Sequence, residues 1–225
     1  MLADDDLARI YHQRSQQTLG VWREPATAAT HTGFYPESLK AIATGIQPEL
    51  SPSVRHLLAE LGQQTRHDPL ADTMQPDHFH LTFLAITPAL YDRQRQPENC
   101  AGLKRLAAAY CLEQELTIRE LRLVALPNQL LLAGIPDTAD IACRAAFWNA
   151  LQRSEWAELL RQRYNGSRQP PPFWHSTLLR YHASILPDYL QRFFQARSEQ
   201  RYGEICGKIR LRLVSYNWSE SEELA

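Results

Sequence analysis

Two short segments of the 225-residue chain repeat one arrangement: His80-Leu81-Thr82-Phe83 and His175-Ser176-Thr177-Leu178. Each sets an imidazole two residues before a hydroxyl and follows the hydroxyl with an apolar side chain. Residues two apart share a face of a strand, so an extended segment of this kind presents ring and hydroxyl together. Imidazole titrates near neutrality and serves as acid or base. Two such rings across one reacting centre can divide the work, one taking a proton from an attacking oxygen and the other returning one to a leaving oxygen. Threonine hydroxyls can donate to oxygens on which charge develops. A phosphodiester is a group that uses all four side chains. The chemistry asks for no metal and no cofactor, and the chain has no obvious carboxylate-rich metal site.

The segments around these residues carry the periodicities that would position them. "HFHLTFLAI" (78–86) alternates and is predicted as a strand, with His78, His80 and Thr82 on one face. On that face His78 is either a substrate-lining residue or a satisfied structural histidine; His78 and His80 lack an evident third partner for a metal. "PPPFWHSTLLRY" reads as a stiff lead-in followed by a second strand. Phe79, Leu81, Phe83, Trp174 and Leu178 are then available for packing. "IRELRLVALPNQLLLAGI" is a hairpin around Pro127-Asn128, and "GEICGKIRLRLVSYNW" is a last alternating strand. Helical spacing covers "ENCAGLKRLAAAYCLEQE", one long segment from Asp137 to near Gly166, and "LPDYLQRFFQARSEQ". Strands alternating with helices in this way predict an α+β architecture with helices over antiparallel sheet.

The first 75 residues read differently. "DDDLARIYHQRSQQ" and "SPSVRHLLAELGQQ" are helices, the second capped by Ser51 with Pro52 in its first turn and closed by Gly62. A turn-rich loop over 23–40 joins them. We therefore expect residues 1–75 to form a helix-rich extension packed on a core made by residues 76–225.

Composition bounds the classes open to the chain. Hydrophobic residues make up 44% and charged residues 22%, an ordinary globular mixture. No apolar run nears the ~20 residues that span a bilayer, and the acidic start is unlike a secretory leader. The four cysteines are scattered without a CxxC pair. A cytoplasmic protein with reduced thiols and no membrane contact is expected. A net charge of −1 argues against a general nucleic-acid coat. Yet residues 144–212 hold twelve Lys or Arg against five Asp or Glu, mostly arginine, which suits forked contacts to phosphate oxygens. Residues 1–75 hold six against nine.

The paired segments, about ninety-five residues apart, resemble the motifs of the two-histidine (2H) phosphoesterase superfamily, which includes bacterial 2′-5′ RNA ligase-like cyclic phosphodiesterases. "HSTLLR" is similar to that family's second motif, His-x-Thr-Leu-x-Arg, with Arg180 at the matching place. The hairpin before a long helix also looks like the family, and the resemblance covers about residues 78–217. It implies a bilobal α+β fold, antiparallel sheets with outer helices around a central cleft, one His-x-Thr strand from each lobe. It implies His80 and His175 as the acid–base pair, with Thr82, Thr177 and Arg180 holding phosphate. Arg180 is out of phase with His175, so it reaches the cleft only if the strand ends or bulges there. Tyr181, with Phe173 and Trp174, could stack on a base or belong to the core.

The function this implies is metal-independent hydrolysis of 2′,3′-cyclic phosphate or 2′-5′ linkages in nucleotides or RNA ends. The alternatives are a non-catalytic RNA- or nucleotide-binding protein using the same cleft, and an interaction protein whose partner surface is the first 75 residues. The sequence identifies no protein partner.

Overall fold

The structure is a computed structural model that describes residues 4–23, 36, 38–167, 169 and 171–224. The turn-rich segment over 23–40 lies largely outside these, as does part of the proline run at 168–172. Among the described residues, six helices and nine strands follow in the order α1 (Asp4–Arg23), β1 (Ala41–Ile46), α2 (Pro52–Thr65), β2 (Ala71–Thr73), β3 (Leu81–Ala85), α3 (Cys100–Ala108), β4 (Glu115–Leu126), β5 (Gln129–Pro136), α4 (Thr138–Gln152), α5 (Ala157–Arg163), β6 (His175–Tyr181), α6 (Asp188–Gln195), β7 (Ile205–Lys208), β8 (Arg210–Val214) and β9 (Ser221–Glu223).

The strands form two antiparallel sheets, ordered β3-β1-β8-β9 and β2-β6-β5-β4-β7. The architecture is α+β and bilobal, with one His-x-Thr segment in each sheet. β4 and β5 make the expected hairpin, turning at Pro127-Asn128 from Leu126 paired with Gln129. The alternating segment 205–214 does more than form one strand. β7 pairs with β4 in one sheet and β8 with β1 in the other, so the chain changes sheet at Ile209 and ties the lobes together. Phe83 at the end of one histidine segment meets Trp174 at the start of the other edge-on, 5.7 Å between ring centres, in the core beneath both.

The reading of residues 1–75 as a helix-rich extension is corrected. β1 is a central strand between β3 and β8, and β2 is the edge strand beside β6. "AIATGI" has small residues and no alternation because it is buried on both faces, the condition under which period two disappears. Helix α1 packs on β4 and β5, with the Tyr11 hydroxyl donating to the Gly134 carbonyl at 2.9 Å. α2 begins as expected, the Ser51 hydroxyl accepting from the Val54 N–H, but runs through Gly62 to Thr65. The single long helix expected from Asp137 breaks into α4 and α5, where the Ser154 hydroxyl accepts from the Trp156 N–H.

Candidate active site

A cavity of about 500 Å³ opens between the sheets, and His80, Thr82, His175, Thr177 and Arg180 all line it. The strand geometry explains how. In β3, Leu84 pairs with Thr44 and Thr82 with Gly45, leaving Phe83 unpaired. In β6, Leu179 pairs with Leu130 and Thr177 with Leu131, leaving Leu178 unpaired. Each is a bulge, one extra residue on one strand. Both fall on the apolar residue immediately after the threonine, so the two motifs share a backbone irregularity as well as a residue pattern. In β6 the extra residue restores the phase of Arg180, which lands in the cleft beside His175 and Thr177.

The same bulge turns Tyr181 away, against the expectation that it lines substrate. Its hydroxyl donates to Asp68 at 3.0 Å, beside Tyr189, which donates to the same carboxylate at 2.7 Å. His78 also leaves the cleft wall. Pro76–His78 is a turn of 3-10 helix, and the strand starts only at Leu81, so strand parity does not extend back to His78. Its carbonyl, however, lies 2.9 Å from Nδ1 of His80. A carbonyl only accepts, so Nδ1 carries the hydrogen and Nε2 of the neutral ring is an acceptor. His175 differs: its Nδ1 is buried and has no hydrogen-bond partner among the described residues.

Desolvation pulls the pKa of His80 down to about 3, opposed by the bond to His78, with Arg180 and His175 adding smaller repulsions. Desolvation, then Arg180 and Arg144, pulls His175 down to about 4. Both rings are therefore neutral at neutral pH in the free protein. Thr177 is 7% exposed and Thr82 half-buried. Among the described residues neither hydroxyl has a partner, so both are available as donors.

The sequence reading missed the wall supplied by the segment after β8. Trp218 stacks on His80, ring centres 4.7 Å apart and planes 9° from parallel. Asn217 accepts from Arg180 through Oδ1 and donates through Nδ2 to both oxygens of Asp72 at 3.1 and 3.0 Å. Tyr216 donates to the same carboxylate at 2.5 Å, and its ring lies 4.8 Å from the Arg180 guanidinium. Asn217 and Trp218 both have left-handed backbone, φ 57° and 55°. A tryptophan there is a strained residue held by its surroundings, a condition that clusters at functional sites. No short-range signal in "SYNW" points to this arrangement, because each partner comes from another strand. Arg144, Tyr164 and Phe173 also line the cleft, and among the described residues no Asp or Glu does. Nor does any group of three or more His, Cys, Asp or Glu among them come together as a metal site.

No protein-family model and no curated protein matches the chain. Among solved structures it is similar to TT0787 of Thermus thermophilus, at 16% identity over 82% of this chain and 97% of that one, TM-score 0.49. It is similar to a phosphoesterase at 15% identity, 82% and 94% coverage and TM-score 0.48. It is also similar to LigT of E. coli in complex with 3′-AMP, at 15% identity, 82% and 93% coverage and TM-score 0.45. Among the described residues no helix is long and apolar enough to cross a membrane.

Proposed function

We propose that the protein is a two-histidine phosphoesterase that hydrolyses 2′,3′-cyclic phosphate or 2′-5′ phosphodiester linkages of nucleotides or RNA ends. The observation that carries this reading is the convergence of both His-x-Thr segments on one cleft that no carboxylate lines among the described residues. Water attacks phosphorus as His80 takes its proton through Nε2, the ring nitrogen left unprotonated by the bond to the His78 carbonyl. The bond from phosphorus to the 2′ or 3′ oxygen breaks, and His175 returns a proton to that oxygen. Nδ1 of neutral His175 meets no acceptor among the described residues, which favours the tautomer with its hydrogen on Nε2. That ring therefore suits the acid role, once an anionic substrate offsets the repulsion of the nearby arginines. Thr82 and Thr177 donate to the non-bridging oxygens, and Arg180, steadied by Asn217, supplies positive charge.

The test is a panel of nucleoside 2′,3′-cyclic phosphates and 2′-5′ dinucleotides, with and without EDTA. Phosphomonoester product in both conditions is expected. Tight binding with the ligand unchanged after long incubation would replace this reading with the nucleotide-binding one, and neither binding nor turnover would overturn both.

A further inference from the structure

Arg144 is the one buried arginine among the described residues, 6% exposed, on the buried face of α4 with Phe147, Trp148 and Leu151. Its Nη1 donates to the Phe173 carbonyl at 3.2 Å and its Nη2 to the Pro171 carbonyl at 2.8 Å. The guanidinium lies 3.6 Å above the Trp174 ring. No carboxylate is within ion-pair reach of it among the described residues. Three half-buried arginines elsewhere are compensated: Arg197 by Glu60, Arg122 by Glu120, and Arg180 through Asn217 to Asp72. A buried cation is costly without an opposite charge. The carbonyls and the indole offset part of that cost, and the open side of Arg144 faces the cleft.

Two further observations place it on the His175 side of the cleft, in a cavity that holds another arginine. Arg180 repels protons from both histidines, whereas Arg144 acts on His175 alone. Arg163 lines the same cavity, its guanidinium 5.5 Å from the Tyr164 ring. The cavity is nucleotide-sized rather than phosphate-sized.

Resting on the phosphoesterase reading of the cleft, we propose a second anionic subsite built on Arg144 with Arg163 at its rim, so that the preferred substrate carries a further phosphate besides the one that reacts. In chemical class this is a nucleotide phosphorylated at both ends of its ribose, as at an RNA end, rather than a nucleoside cyclic monophosphate. Arg144 is protonated at neutral pH, since desolvation brings it down only to about 10.

Calorimetric titration of the full chain with adenosine 3′-monophosphate and adenosine 3′,5′-bisphosphate tests this without requiring turnover. The bisphosphate should bind roughly tenfold tighter or better, the usual effect of a charge-assisted contact, and the gap should narrow at high salt. The gap should shrink severalfold in R144Q and in R163Q, the second variant lying outside the core and so separating the subsite from folding, while R144K retains part of it. Equal affinity for the two ligands in the wild type, or a gap unchanged in both Gln variants, overturns the subsite and leaves Arg144 as a tie between α4 and the 171–173 segment. A bisphosphate preference in a protein that cleaves no cyclic phosphodiester would uphold the subsite and overturn the reaction instead.

Discussion

His80 and His175 sit where a neutral ring is favoured, and that constrains how they can work. A bound phosphodiester brings a negative charge that offsets the arginines, so protonation becomes easier in the complex. Proton NMR of the imidazoles should therefore find both rings neutral down to about pH 5 in the free protein, below the ordinary range near 6.5. Saturating 3′-AMP should move at least one titration upward. Two ordinary titrations near 6.5 in the free protein would contradict the burial argument. Trp218 is the other residue with a specific consequence. Its stacking holds the His80 ring plane, so W218A should lower kcat by about three- to tenfold, the worth of a stacked aromatic pair, with W218F restoring much of it. An unchanged kcat with only KM altered would make Trp218 a substrate contact rather than a positioning residue. The placing of each histidine and threonine on one strand face was legible from spacing, whereas the stacking of Trp218 on His80 and the tie from Arg180 through Asn217 to Asp72 were not, because these join residues far apart in the chain.

At the scale of elements, the paired bulges bring two short motifs to one cleft. Arg180 illustrates how far sequence reasoning reached: its phase demanded a bulge, and Leu178 is unpaired where one is needed. Tyr181 and His78 illustrate the limit. Strand parity counts residues evenly, so it misdirects Tyr181 beyond the bulge and His78 ahead of the strand. Opposite the bulge in β3 stands Gly45, where an added Cβ would come within 2.5 Å of the Leu81 carbonyl and 2.8 Å of the Trp218 ring. Only a glycine lets β1 approach that closely. G45A should cost about 1–3 kcal/mol through overpacking, with a fall in Tm of about 2–4 °C per kcal/mol at this chain size. Its His80–Trp218 stacking should loosen, read as altered tryptophan fluorescence. A Tm and spectrum matching the wild type would mean that β1 yields at no cost. β1 itself escaped the sequence reading for the same reason that Gly45 is needed: a central strand packed on both faces by small residues has no alternation to detect.

For the whole molecule, two lobes joined through the 205–214 crossover hold the rings at one cavity, and burial there makes stability depend on pH. In the unfolded chain a histidine takes up its proton near pH 6.5. In the fold His80 does so at about 3 and His175 at about 4. Between those limits the unfolded chain binds more protons, so this contribution is fully present above about 6.5 and is lost as pH falls through about 4 to about 3. Thermal melts should accordingly lose more Tm between pH 6.5 and 4.5 in the wild type than in the H80Q H175Q variant; equal losses would contradict the burial of both rings. The α+β class, the hairpin and the two histidine strands were readable in advance because each rests on local periodicity. The place of the first 75 residues was not, since it depends on pairing between strands distant in sequence. The central claim, that two rings from separate lobes act on one phosphate, is tested most directly by the hydrolysis rate of a nucleoside 2′,3′-cyclic phosphate in H80A, in H175A and in the double variant. Each single change should lower kcat by roughly 10²-fold or more, and the double variant should be little worse than either, as for residues acting as a unit. Full activity in either folded single variant would contradict the account.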